Sequence, residues 1–223
     1  MNAWPATLGG RPSAAVFDCD GLLVDTETSW GRAEERLFGR RGVPYGPDER
    51  EALLGTSVPS SVVWMAGRFD EAGNEAGLLA ELLEAAHDLI GRESVALPGA
   101  AELVARLREY GVPIAVASNS PRPLVDLALG VGGLGGAFDL IVSADDVSHP
   151  KPAPDPYLTA CSGLGIDPSA AVAFEDSPPG LASARAAGMA TVCVPSRPGD
   201  YKADWVLPSL ADPALGAWVA SWA

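Results

Sequence analysis

The sequence predicts an α/β fold: a parallel sheet with helices on both faces, interrupted after its first strand by an all-helical insert. Two observations carry this. From residue 98 onward, short apolar runs alternate with stretches of helical periodicity. Between residues 25 and 96, helical spacing continues with no strand signal between. A chain of 223 residues, 48% hydrophobic, is long enough for one large domain or a core with an insert.

The first strand is the apolar run Ala14, Ala15, Val16 and Phe17. It ends on Asp18, Asp20 follows, and Gly21 lets the chain turn sharply. Two carboxylates at the tip of a buried strand repel each other and are costly to remove from water. A cation between them removes that objection, although Asp and Gly also make ordinary turns. A helix is expected over residues 26–41, where Trp30, Ala33, Leu37 and Phe38 share a face, and Pro44 and Gly46 stop it. Residues 47–54 read as a short helix, 55–60 as a loop, 61–69 as helix again. Residues 78–90 form a helix with Leu78, Leu82, Ala86 and Leu89 along one side. The insert would join the rest only near residues 24–26 and 95–98, so two domains are expected: residues 1–24 with 97–223, and residues 25–96.

Helices are expected at 99–110, 124–129, 156–164 and 181–187. Strands are expected at 113–117, 139–143, 170–174 and 190–194, with a last short one at 204–207. In such sheets ligands bind beyond the carboxyl ends of the strands. Gly130, Gly132 and Gly135 satisfy G-x-G-x-x-G, but a helix precedes them and a strand follows, the reverse of a dinucleotide fingerprint, so they read as a loop.

The formal net charge of −14 argues against nucleic acid and anionic membranes as partners. No apolar run approaches a membrane span, and the first twelve residues carry neither a basic nor an apolar leader segment. Cys19, Cys161 and Cys193 follow no metal or disulfide spacing, which fits a reducing cytoplasm. Only two of the fifteen basic residues are lysines, Lys151 and Lys202, which makes Lys151 worth following.

Four strand ends carry polar clusters that a parallel sheet brings to one edge: Asp18 with Asp20, Ser118 with Asn119, the segment at Lys151, and Glu175 with Asp176. The aspartates are hard oxygen donors suited to Mg²⁺. Ser118-Asn119-Ser120-Pro121 reads as a capped helix start whose free N–H groups would bind an anion. Lys151 adds a point charge for a phosphate. Ser177-Pro178 repeats the cap-and-proline start beside Asp176. Each cluster alone also reads as turn, cap or surface chemistry; their joint occurrence at successive strand ends is what points to a site.

DCDGLLVDTE, VASNS, HPKPAPDPY and AFEDSPPG resemble, in order, the four motifs of the haloacid dehalogenase superfamily, and the helical insert resembles the cap of its β-phosphoglucomutase-like subgroup. The resemblance implies a Rossmann-like core and a cap domain. It implies Asp18 as nucleophile, and Asp20 as general acid and then general base. It implies Mg²⁺ held by Asp18, the Asp20 carbonyl and Asp176, with Glu175 direct or through water. Ser118, the Asn119 N–H and Lys151 would hold the phosphoryl oxygens. Asp20 argues against dehalogenation, and the absence of lysine from residues 25–96 argues against phosphonate hydrolysis by a Schiff base. In a mutase a cationic cap residue binds a second phosphate; Val58 and Pro59 stand there instead, with Arg68 or Arg92 as substitutes. Trp30 reads as cap core or as a sugar-facing wall, and Thr56 as a leaving-group contact or a plain loop residue. His87 reads as surface or interhelical, His149 as positioning its loop, and Cys19 as non-catalytic.

The resulting expectation is a Mg²⁺-dependent phosphatase for a small phosphorylated sugar or polyol, with a monomer or weak homodimer as working unit. The rivals are a phosphohexomutase and a non-catalytic protein that binds metal and phosphate.

Overall fold

The structure, a computed structural model, describes residues 5, 8–53 and 56–222. A six-stranded parallel sheet runs in the order β3-β2-β1-β4-β5-β6, with β1 at Ala14–Phe17, β2 at Ile114–Ala117, β3 at Leu140–Val142, β4 at Ala171–Glu175, β5 at Ala190–Cys193 and β6 at Trp205–Val206. β1 and β4, the two strands that end in acidic clusters, are direct neighbours in the middle of the sheet, with Phe17 in register with Phe174.

Alternation along the strands sorts side chains to two faces. Ala14, Val16, Ala115, Ala117, Ala171 and Ala173 face α7 (Asp155–Leu164) and α8 (Pro178–Ala186), where small residues let those helices come close. Ala15, Phe17, Val116, Val172 and Phe174 join the larger cluster on the other side. The Phe17 and Phe174 rings stack there with centroids 4.7 Å apart, a pair worth about 0.5–1.5 kcal/mol beyond its buried area. That face is covered by α5 (Ala100–Glu109), α6 (Arg122–Val131) and α9 (Pro213–Ala220).

Between β1 and α5 come α1 (Glu27–Arg40), α2 (Pro47–Leu53), α3 (Val58–Phe69) and α4 (Glu75–Glu93). α1 and α4 form the main contact of this insert, through Ala33, Leu37 and Phe38 on one and Leu78, Leu82, Ala86 and Leu89 on the other. α4 also packs on α6 of the sheet layer. The two chain segments that join insert to sheet pair with each other: Asp25 N donates to Val95 O at 2.9 Å and Leu97 N to Leu23 O at 2.9 Å.

The structure departs from the sequence reading at several ends. Residues 58–60 were expected in a loop but open α3, because Ser57 caps it and Pro59 occupies its first turn; residue 55 of that loop, and residue 54 at the end of the helix expected before it, lie outside the described residues. α4 and α8 start three residues earlier than expected. α9 was not anticipated, although Asp212-Pro213 is a cap followed by proline and Leu215, Trp218 and Val219 mark one helical face. Among the described residues no helix is long and apolar enough to cross a membrane, and Cys19, Cys161 and Cys193 are all free and buried.

Candidate active site

The β1–β4 register places the site. Asp18 N donates to Phe174 O at 2.9 Å, so the Asp18 side chain leaves the sheet beside Glu175 and Asp176. Asp18 is 7% exposed and Glu175 0%. Between them lies the Lys151 ammonium, 2.6 Å from Asp18 Oδ1 and 2.6 Å from Glu175 Oε1. Tyr157 OH donates to the same Glu175 oxygen at 2.7 Å, and the ammonium sits 5.0 Å from the centre of the Tyr157 ring. Burial works against the charge on Lys151, but Asp18 and Glu175 outweigh it and hold its pKa above the ordinary lysine value.

Glu175 was expected as a metal ligand, direct or through water. One of its oxygens takes Lys151 and Tyr157; the other accepts from Asp176 N, Ser177 N and Ser177 Oγ at 3.0, 3.3 and 3.1 Å. Both oxygens thus have partners within the protein, and one of them holds the Lys151 ammonium. Gly180 makes room for the Glu175 carboxylate, since a Cβ there would collide with it.

Asp18, Glu175 and Asp176 each offer an oxygen within 4.8 Å of the others. Asp18 is pushed up to about 8: burial raises it most, Lys151 pulls against that, and Glu175 and Asp20 add to the rise. Asp176 is driven well above the carboxylate range, first by burial, then by Asp18 and Glu175. Two such groups resist ionising side by side unless positive charge joins them. Gly21, at φ +79°, lets Asp176 approach, because a Cβ there would lie 2.6 Å from Asp176 Oδ2.

The segment 118–121 opens its helix without the side-chain cap expected of it. α6 begins at Arg122, whose N–H is already taken by Asp145 Oδ2 at 2.9 Å. The hydroxyls of Ser118 and Ser120 turn instead to Asp20 Oδ2, at 2.9 and 2.8 Å, and Thr26 Oγ1 donates to Oδ1 at 2.6 Å. Ser118 is fully buried. The Asn119 amide clamps the Lys151 backbone, donating to Lys151 O at 3.1 Å and accepting from Lys151 N at 2.8 Å. By contrast, Ser177 is the cap read from the sequence, accepting from Gly180 N with Pro178 next in line.

A cavity of about 360 Å³ opens over this cluster, with Asp18, Asp20, Asn119, Lys151 and Asp176 on its floor and the insert as its roof. Trp30 and Thr56 both line it. Trp30 is half-buried, packing on the core on one side while lining the cavity on the other. Arg68 and Arg92 do not line it; they pair with Glu49 and Asp88. His87 is exposed, and His149 Nδ1 lies 2.9 Å from Asp155 Oδ2 in the loop before α7. The Cys19 side chain is buried and burial holds its thiol protonated.

Several lining residues were missed from sequence: Glu27, Glu34, Arg50, Ser120 and Arg197. Glu27, Trp30, Gly31 and Glu34 fall at i, i+3, i+4 and i+7, one helix face, so the pattern around Trp30 contained the first two. Arg197 follows β5 on the same sheet edge as the four recognised clusters. Tyr157, inside α7, had no such signal.

Comparison with known proteins agrees with this fold. The family model for haloacid dehalogenase-like hydrolases matches residues 12–188. The chain is 36% identical over 176 residues to the validoxylamine A 7′-phosphate phosphatase of Streptomyces hygroscopicus subsp. limoneus, covering 78% of this chain and 82% of that protein. It is 34% identical over 185 residues to hexitol phosphatase B of Escherichia coli K12, covering 82% and 83%. The crystal structure of CbbY from Rhodobacter sphaeroides in complex with phosphate superimposes with a TM-score of 0.83 at 30% identity, covering 94% of this chain and 100% of that one. With its parallel sheet, its helical insert and this sheet-edge cluster, the chain belongs to the haloacid dehalogenase-like hydrolases.

Proposed function

We propose that this hydrolase cleaves a small phosphomonoester, a sugar or polyol phosphate, with Asp18 as nucleophile and Mg²⁺ as cofactor. The observation that carries the reading is the placement of Asp18 between the Lys151 ammonium and Asp176, on the floor of a cavity roofed by the insert. Two relatives named as phosphatases of validoxylamine A 7′-phosphate and of hexitols support the substrate class.

The donor set fits Mg²⁺: Asp18 and Asp176 are hard anionic oxygens whose buried charges need a cation, and the Asp20 carbonyl would complete the set. When bound, the ion neutralises charge on the phosphoryl oxygens and on Asp18. Asp18 attacks phosphorus in line, the P–O ester bond breaks, and Asp20 gives its proton to the leaving oxygen. Asp20 then takes a proton from water, whose oxygen attacks the aspartyl-phosphate, releasing phosphate and freeing Asp18. Lys151 and the Asn119 N–H hold the phosphoryl oxygens, joined by Ser118 once its hydroxyl turns from Asp20. The insert, residues 25–96, acts as a cap over a core of residues 1–24 and 97–223, excluding water during transfer. The working unit is a monomer or weak homodimer in the cytoplasm, and neither nucleic acid nor membrane is a partner.

One observation favours the mutase rival: Arg50, on the insert, lines the cavity and could meet a second phosphate. Assaying a panel of phosphorylated sugars and polyols for phosphate release and for isomer interconversion, with Mg²⁺ and with EDTA, separates the readings. Mg²⁺-dependent phosphate release without isomerisation is expected. Interconversion without release would overturn the phosphatase assignment, and no turnover at all would favour a non-catalytic role.

A further inference from the structure

One side of the cavity is formed by α1, which leads away from the floor. Glu27 lies at the floor beside Gly21 and Asp176, and Trp30, Gly31 and Glu34 line the cavity one and two turns farther on, forming its far wall. Glu34 is 8% exposed, an unusual place for a carboxylate. Its one hydrogen-bond partner among the described residues is the Tyr45 hydroxyl, which donates to Oε2 at 2.5 Å. Oε1 has no donor among the described residues, Glu34 lines the cavity, and Tyr45 is in turn braced by Phe38, ring centroids 5.0 Å apart, and by the Arg50 guanidinium 5.7 Å from its ring centre. Oε1 is not a buried orphan, so what it offers a group entering the cavity is an accessible acceptor.

We propose that Glu34, oriented by Tyr45, determines specificity by accepting a hydrogen bond from a hydroxyl or ammonium group on the polyhydroxylated part of the substrate, and by disfavouring a second phosphate at that end. This rests on the phosphatase reading above. The charges of the wall support it. Arg32 is committed to Glu93. Glu34 lies in the field of both Arg50 and Arg197, so the positive charge at this end is partly offset by a carboxylate before any substrate arrives. Trp30, between the two glutamates, presents an aromatic face of the kind that packs on a sugar or polyol chain. A site made to hydrogen-bond a substrate donor discriminates strongly against compounds that lack one, because its own polar group is then stranded.

The test compares wild type, Glu34→Gln and Tyr45→Phe, each with Mg²⁺, on three kinds of ester. These are p-nitrophenyl phosphate, fructose 1,6-bisphosphate, and the best-hydrolysed of sorbitol 6-phosphate, fructose 1-phosphate and glucosamine 6-phosphate. For that monophosphate, Glu34→Gln is expected to lower kcat/KM by about tenfold or more, chiefly through KM. Tyr45→Phe should act in the same direction by less. p-Nitrophenyl phosphate turnover should change by less than about twofold, since that ester places no donor at the far wall. The selectivity of wild type for the monophosphate over the bisphosphate should shrink in Glu34→Gln. Equal losses on p-nitrophenyl phosphate and the monophosphate, no change in either, or a wild type that prefers the bisphosphate would overturn the assignment while leaving the phosphatase reading in place. A wild type inert toward every ester would overturn both.

Discussion

Lys151 shows how much one side chain can carry. It is 6% exposed and holds Asp18 and Glu175 apart at 2.6 Å each. Removing it leaves two buried carboxylates facing each other, and the loss of one partner from a buried pair costs roughly 3–5 kcal/mol. Lys151→Met is therefore expected to lose turnover and also to unfold at clearly lower urea, read by a denaturation curve. Asp18→Asn makes the contrasting case. It removes the proposed nucleophile but one of the repelling charges as well. Turnover should fall by at least about a thousandfold while circular dichroism and the melting temperature stay near wild type. Near-normal hydrolysis by this variant would reject the nucleophile.

Glu27 gives a pH-dependent prediction at the same scale. Burial, then Asp20, push it up to about 7, with Arg197 pulling down. A carboxyl whose folded pKa lies above its unfolded one stabilises the fold fully only below the unfolded value, near 4.5, and loses that contribution as pH rises through about 7. Glutamine cannot ionise and loses nothing. The melting temperature of Glu27→Gln in metal-free buffer should gain on wild type between pH 5 and pH 8, by an amount equivalent to roughly 1–3 kcal/mol. A constant gap would show that Glu27 is not strained by its charge.

Among the elements, α3 depends on local chemistry that the surrounding loop disguises. Ser57 accepts from Ser60 N at 3.4 Å, a long cap bond at the low end of capping strength. Ser57→Ala should cost about 0.5–1 kcal/mol, measured by chemical denaturation, and disturb the cavity only through Thr56 and Val58, which line it beside the cap. β1 and β4 illustrate the opposite case, where tertiary register matters more than propensity. Their pairing at Phe17 and Phe174 is what brings Asp18 next to Glu175, although 153 residues of sequence, the whole insert among them, separate the two strands.

For the whole molecule, the cavity belongs to both sheet edge and insert, and acidic groups at its floor are strained without a cation. A cation that binds the folded chain and not the unfolded one stabilises it, so on the proposed function adding Mg²⁺ should raise the melting temperature, with a gain of about 2.7 kcal/mol at a hundredfold excess over Kd. EDTA should abolish turnover and reverse the shift, and Asp18→Asn or Asp176→Asn should blunt it. An unchanged melting temperature across a Mg²⁺ titration would count against a metal at this cluster.

Much of this architecture was readable in advance because hydrophobic periodicity is local. The strands at Ala14–Phe17 and Ile114–Ala117 and the helices of the insert announce themselves within windows of a few residues. Likewise, carboxylates at strand ends and a solitary lysine are visible as residue types in order along the chain. Partner choice is not local. Nothing in VASNS says that Ser118 and Ser120 turn to Asp20 instead of capping a helix, because the competing acceptor, Asp145, lies in another loop. Nor does Glu175 reveal that both its oxygens are spent on Lys151, Tyr157 and its own following turn. The sequence by itself determined which elements form and which chemistry they bring to one edge. Only the tertiary structure decided which oxygen meets which donor, since a hydrogen bond is settled by distances of a few tenths of an ångström between segments far apart in the chain.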